Sequence, residues 1–208
     1  IDQLVALNLK RAGLSAAPTA EKKTLLRRVY FDLTGLPPSP EKIRSYLEDP
    51  RPDAFERVVD ELLATPQFGE KMAIYWLDLV RYADTVGYHG DQPHNISPYR
   101  DWVINAFNSN LPFDQFTREQ IAGDLIENAS ESQLIASGYN RLLQTTHEGG
   151  LQPREYSAIY AADRVRNVSL VWMGSTVVCA QCHNHKYDPY TLRDFYSLSA
   201  FFADIDDE

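Results

Sequence analysis

The sequence predicts an all-α protein, and three observations carry that prediction. Apolar residues recur at i, i+3, i+4 spacing through most of the 208 residues. Serine, threonine, aspartate and proline stand just ahead of these stretches and glycine just behind them, which is how helices start and stop. No alternating apolar–polar runs face each other across a tight turn, so nothing reads as a sheet. There is no internal repeat and no low-complexity tract.

The elements follow in order. Residues 1–13 put Ile1, Leu4, Val5, Leu9 and Ala12 on one helical face, and Gly13 stops it. Thr19 is the expected cap of the next helix, with Leu25, Leu26, Val29, Tyr30 and Leu33 inward and Gly35 then Pro37-Pro38 at its end. Ser39-Pro40 is an N-cap followed by proline in the first turn, where a missing N–H costs nothing. Asp53 with Glu56 reads as a capping box ahead of Phe55, Val58, Val59, Leu62 and Leu63. Residues 69–83 repeat the pattern with Met72, Tyr75, Trp76, Leu79 and Val80. A loop over Asp84 to Ser97 interrupts it, with Gly87, Gly90 and Pro93. Ser97-Pro98 restarts a helix carrying Trp102, Val103, Ala106 and Phe107, and Asp114 and Ser130 are caps for two more. A second loop holds Glu148-Gly149-Gly150. From Pro153 a long helix runs toward Gly174, and Thr191 with Asp194 caps the last, with Phe195, Leu198 and Phe202 on its apolar face. The expected organisation is one domain over 1–208, with a small N-terminal helical lobe over 1–65.

Composition narrows the function. The formal charge of -9 argues against nucleic acid and against anionic membrane surfaces, both of which need lysine and arginine. No apolar run approaches the roughly 18 residues that span a bilayer. The chain opens Ile1-Asp2 without methionine or signal peptide, which reads as a processed or excised piece of a longer protein. Two cysteines cannot build the disulfide framework of a small secreted domain, so they serve one local purpose.

That purpose is legible in Cys179-Ala180-Gln181-Cys182-His183, the attachment signature of a c-type haem. Two thiols that add across the two vinyl groups of a porphyrin must sit about one helical turn apart. A histidine directly after them can offer its imidazole to the iron as the proximal ligand. Two other readings use the same residues. A zinc site would take Cys179, Cys182 and His185, with His147 as the fourth ligand. A disulfide or thiol redox pair would take the cysteines alone, without the βαβ context that usually accompanies such a pair.

The chain resembles the planctomycete cytochrome c-like domains of unknown function, over nearly its whole length. The likeness rests on Arg27 through Pro38 (RRVYFDLTGLPP), Tyr75 through Asp84 (YWLDLVRYAD), Tyr99 through Ile104 (YRDWVI), Glu119 through Leu125 (EQIAGDL), Glu148-Gly149-Gly150, and Cys179 through Pro189 (CAQCHNHKYDP). The resemblance implies an extracytoplasmic, periplasmic bacterial protein that binds haem c through Cys179, Cys182 and His183. It implies no chemical activity. Asn184 stands where such domains commonly have aspartate, which removes a carboxylate partner beside the haem histidine.

The remaining residues sort around that site. His147, in the Gly-rich loop, and His89, with His94 in the middle loop, are candidates for the distal iron ligand. Met173 lies on the same helical pattern as the motif and is badly placed to cross a porphyrin, and Met72 belongs to a core face. An open distal position would suit small-ligand or peroxide chemistry, and a filled one electron transfer. His185 with Lys186 and Asp188 either holds a propionate or fixes its own loop. Glu155 and Asp163 are expected in a salt-bridge network with Arg154, Arg164 or Arg166. The 24 aromatic residues read as ordinary core, or as walls of a haem pocket. The function expected is a haem c domain that passes electrons, or supports an oxidoreductase, with the parent's other domains or periplasmic redox proteins as partners. One alternative is a non-redox binding or structural module, such as a carbohydrate-related one, whose cysteines hold zinc or each other. Another is a carboxylate-dependent hydrolase using Glu148, Glu155 or Asp163.

Overall fold

Helix signals this dense should leave little chain for anything else. In the computed structural model, which describes residues 1–87, 90–146, 150 and 152–205, the chain forms ten α-helices and no strand among the described residues. The nearest approach to a sheet is a single antiparallel bridge, Thr85 to Pro93, inside the middle loop. No described helix is long and apolar enough to cross a membrane. Contacts divide the chain into two units, Ile1–Gln67 and Phe68–Glu208.

The first unit holds α1 (Asp2–Arg11), α2 (Lys22–Thr34), α3 (Pro40–Glu48) and α4 (Ala54–Leu63). Its core is Leu26, Tyr46 and Ala54, walled by Tyr30, Ile43, Phe55 and Val58, so α2, α3 and α4 supply it. α1 buries none of its residues. Local chemistry sets the ends. Ser39 accepts from the Lys42 N–H and Pro40 takes the first turn of α3. Gly35 ends α2 at φ 72°, a left-handed conformation that costs glycine nothing. Two expected caps do not form. α2 starts at Lys22 rather than at Thr19, and the Asp53 carboxylate turns to Arg57 Nε at 2.8 Å instead of capping α4.

The second unit is built from α5 (Pro66–Leu79), α6 (Ser97–Asn108), α7 (Phe113–Ala122), α8 (Glu131–Ala136), α9 (Pro153–Met173) and α10 (Leu192–Ala200). α5 begins earlier and ends earlier than the 69–83 expected, because Pro66 is a good first-turn residue. Pro112, not Asp114, precedes α7, and Asp114 sits in its first turn. Ser130 and Thr191 form complete capping boxes with Gln133 and Asp194. The main core joins Val80, Tyr99, Trp102, Val103, Phe116 and Tyr139 with Val168 of α9. The aromatics are therefore mostly core: Trp102 stacks on Phe116 at 5.3 Å, and Trp76 meets both Phe116 and Trp172 edge-on. At the centre Gln120 is fully buried, with both its amide oxygen and its amide nitrogen engaged. Its Oε1 accepts from Tyr99 Oη at 2.6 Å and Trp76 Nε1 at 2.8 Å, and its Nε2 donates to the Phe116 carbonyl at 3.0 Å. Gly69 lets α5 close on α6, since a Cβ there would stand 2.5 Å from the Ile104 carbonyl.

α9 is the beam that carries the site. Val168 faces the main core, while Ala162 and Val165 face a second core made with Val177, Ala180 and Phe195. It stops at Gly174, φ 58°, and the chain then folds back as a 3-10 turn over Val177–Gln181.

Candidate functional site

The cysteine motif occupies that 3-10 turn and the residues just after it. Val177 and Ala180 are buried against α9 and α10, and this fixes the roll of the turn. A 3-10 turn has about three residues per turn, so side chains three apart eclipse one another. Cys179 lies within the turn and Cys182 directly after it, and both are exposed, free thiols. The turn is pinned at both ends. Cys179 N–H donates to the Thr176 carbonyl at 3.0 Å, and Tyr196 Oη donates to the Gln181 carbonyl at 3.1 Å. Met173 lies beyond the break at Gly174, so it does not share a helix with the cysteines as its spacing suggested.

Two histidines follow, and the hydrogen bonds assign them opposite tautomers. His183 Nδ1 lies 2.8 Å from the Asn184 carbonyl oxygen. A carbonyl only accepts, so Nδ1 carries the proton and Nε2 keeps a free lone pair on an exposed ring. His185 is the reverse. Its Nδ1 accepts from the Tyr187 and Asp188 N–H groups at 3.2 and 2.9 Å. Its Nε2 must then carry the proton, which it donates to Thr176 Oγ1 at 3.0 Å. The His185 side chain is only 7% exposed and its ring meets Tyr190 edge-on. His185 thus fixes the loop, one of the two roles its sequence context allowed, while Lys186 lies over the Tyr187 ring. Asn184 uses its side chain elsewhere: Oδ1 accepts from the Leu192 N–H at 3.0 Å and ties the loop to the start of α10. An aspartate there could accept the same bond, so the missing carboxylate bears on the helix terminus rather than on His183.

Gln181, between the two cysteines, borders a cleft. One cavity of about 240 Å³ is lined by Gln181 together with Tyr156, Ile159, Tyr160 and Ala162 of α9. A second, of about 300 Å³, is lined by Arg81, Thr85, Val86 and His94. Gln144, Asp163 and Arg166 belong to both and form their common wall. Arg81 reaches this wall from the end of α5, where it holds a left-handed φ of 62°. For a residue with a Cβ that conformation costs about 1–2 kcal/mol. In return its guanidinium reaches Asp163 Oδ1 at 2.7 Å and the Leu142 carbonyl at 3.4 Å. Arg166 stands 3.9 Å from the same oxygen, and the buried Asp163 Oδ2 has no hydrogen-bond partner among the described residues. Burial, with help from Arg141, pushes the His94 imidazole below its usual range, so it faces the cleft neutral near pH 7. At the rim, burial and the hydrogen bond to Asp84 push Tyr82 up to about 12.

The remaining expectations resolve unevenly. His147, His89 and Glu148 lie outside the described residues. Glu155 is exposed and has no ion pair among the described residues, so the pairing of Asp163 is with Arg81 and Arg166 and excludes Glu155. Arg164 is buried and donates to the Asn140 carbonyl from two of its nitrogens. For the zinc reading, no three His, Cys, Asp or Glu side chains gather as ligands among the described residues, and both His185 nitrogens are already engaged. What no motif announced is the Arg81–Asp163 pair, which joins residues 82 positions apart. The only local hint was Arg81 where a helix stop usually carries glycine.

The residues present fit a covalently attached porphyrin. Both thiols are free and exposed, and the histidine beside them keeps Nε2 free while Nδ1 is held; neither cavity of the cleft is lined by the cysteines or by His183. A comparison with protein-family models matches residues 1–207 to the family described as "PSCyt2: Protein of unknown function (DUF1549)". No curated protein and no solved structure matches the chain.

Proposed function

The chain belongs to the PSCyt2 family, the planctomycete cytochrome c-like domains of unknown function, and from that premise we propose that it carries one covalent haem c for electron transfer. Cys179 and Cys182 would hold the group through two thioethers, each an S–H added across a vinyl C=C with no outside oxidant, and His183 Nε2 would be the nitrogen offered to its iron. When bound, the group supplies a one-electron ferrous–ferric couple.

The observation that carries this reading is the tautomer split. Ligating histidines almost always donate their other ring N–H to a carbonyl or carboxylate, which orients the ring and raises its basicity. His183 has that arrangement and His185 has the opposite one. The chain's own contribution is therefore positional. Val177 and Ala180 roll the turn, Asn184 holds the imidazole through its carbonyl, and His185 holds the loop that carries Asn184. The extracytoplasmic address, and redox partners among other domains of a longer protein or among periplasmic carriers, belong to the same proposal.

The test is a pyridine haemochrome spectrum of protein made in a strain with haem c maturation. The expected result is an α-band shifted as two saturated thioether links require, retained after acid–acetone extraction and lost in Cys179→Ala/Cys182→Ala. A colourless wild type from a host that matures a control cytochrome would overturn the proposal.

A further inference from the structure

The cleft holds a cation whose donors are unspent. Arg166 lines both cavities, its side chain is half exposed, and its guanidinium donates no hydrogen bond among the described residues. Its ion pair with Asp163, at 3.9 Å, is too long for a hydrogen bond, and Arg81 already holds the same oxygen at 2.7 Å. Arg81, Arg166 and Asp163 are the charged groups of the described lining, and His94 is neutral near pH 7. One carboxylate therefore answers two guanidiniums, and the cleft keeps a positive charge in a chain whose formal charge is -9. Neither cavity is lined by the cysteines or by His183, so what the cleft takes is a question apart from the motif.

A guanidinium fork matches a carboxylate in two parallel hydrogen bonds. Upstream on α9, Tyr156, Ile159 and Tyr160 line the same cavity as Arg166, with the two tyrosine rings 5.9 Å apart. Tyr160 and Arg166 stand about 9 Å apart along the helix axis. Long side chains of a helix lean toward its N-terminus, so the Arg166 fork closes part of that gap, and what remains suits one ring rather than a long chain. The cavity, about 240 Å³, lies below the roughly 300–1,000 Å³ of sites for drug-sized ligands, which sets the same limit. We propose that the cleft is a binding site for a small free carboxylate on a single ring, its carboxylate held by Arg166 and its ring laid on Tyr156, Ile159 and Tyr160. Gln144 and Gln181 line the same cavity and offer amides to ring hydroxyls, so an aromatic acid and a sugar acid share this chemistry.

The test titrates the full chain, free of haem, with benzoate and with glucuronate at neutral pH. Binding is read by ligand saturation transfer in NMR and by the Arg166 Nε–H signal, identified by its loss in Arg166→Gln. At least one of the two acids is expected to bind saturably and to move that signal. Hydrogen bonds to a charged group correspond to roughly 10- to 150-fold in affinity, so Arg166→Gln should weaken binding by about that factor. Arg166→Lys, a point charge without the fork, should fall between. Benzamide and methyl glucoside, the uncharged counterparts, should not bind. Arg166 is half exposed and both replacements are good helix formers, so the fold should tolerate them; if the glutamine variant fails to fold, the lysine variant decides by the same loss. Binding of benzoate alone marks the occupant as an aromatic acid, and of glucuronate alone as a sugar acid. Failure of both acids to saturate, affinities that Arg166→Gln and Arg166→Lys leave unchanged, or equal binding of acetate and inorganic phosphate, which would mark an adventitious ion only, would overturn the proposal. Because the titration uses haem-free chain, its outcome stands apart from the haem reading.

Discussion

Replacing His185 by alanine removes three hydrogen bonds, two accepted at Nδ1 from Tyr187 and Asp188 and one donated from Nε2 to Thr176. It also deletes a nearly buried ring packed on Tyr190. Each bond is worth about 0.5–1.5 kcal/mol net. The two freed N–H groups belong to exposed residues and can turn to water, so the loss should be about 2–3 kcal/mol rather than the full sum. His183→Ala removes an exposed ring bonded only to its own neighbour's carbonyl, so it should stay within about 0.5 kcal/mol of wild type. The assay is urea unfolding read by tryptophan fluorescence. Trp76, Trp102 and Trp172 are the three tryptophans and all lie in the second unit, so the signal reports the unit that contains the motif. With a slope near 3 kcal/mol per molar urea, His185→Ala should lower the midpoint by roughly 0.7–1 M and His183→Ala by less than about 0.2 M. Under the proposed haem reading, loaded protein should show the reverse order, since His183→Ala removes the proposed iron ligand and His185→Ala keeps it. Equal destabilisation by the two variants, or a neutral His185→Ala, would refute the division of labour between them.

Other consequences follow from the same contacts. Gln120→Leu strands the buried Tyr99 O–H, while Trp76 Nε1 keeps Tyr99 Oη as an acceptor at 3.2 Å, and should cost about 1–3 kcal/mol, measured by the same unfolding assay. Arg81→Gly should be more stable than Arg81→Ala by about 1 kcal/mol, because both lose the Asp163 pair but only alanine keeps the left-handed penalty. Thr191→Ala breaks the capping box of α10, the helix that backs the motif turn, and should cost about 1 kcal/mol in thermal or urea unfolding. His94 has a depressed folded pKa, so below its ordinary value of 6.5 the unfolded chain takes up the proton first. Its contribution is thus present above pH 6.5 and lost as pH falls through the folded value, and His94→Gln should flatten unfolding midpoints across that window.

Much of the fold is legible because helix boundaries are written in single residues. Ser39, Ser130, Thr191, Gly35 and Gly174 each do what their chemistry dictates. Thr19 and Asp53 do not, and the reason at Asp53 is competition: Arg57 offers its carboxylate a charged partner one turn away. The cysteines and His183 are legible as a motif, and the structure sets them on and directly after a 3-10 turn, with both thiols free and exposed. The proton positions on His183 and His185 are not legible, since they depend on which backbone groups the folded loop turns toward each ring. Nor is the cleft, because Arg81 and Asp163 meet only after α5 and α9 pack. The pairing expected for Asp163 was local, with residues on its own helix. The stronger partner came from across the fold, where a left-handed helix stop aims a guanidinium that sequence spacing could not place.

The most direct measurement is peptide mapping of maturation-competent protein. Trypsin cuts after Arg166 and Lys186 with no site between, so residues 167–186 carry both cysteines and His183 on one fragment. The expected fragment is heavier by one iron porphyrin, absorbs in the Soret region, and offers no thiol to an alkylating reagent. A fragment of unmodified mass, with Cys179 and Cys182 both alkylated, would contradict the account.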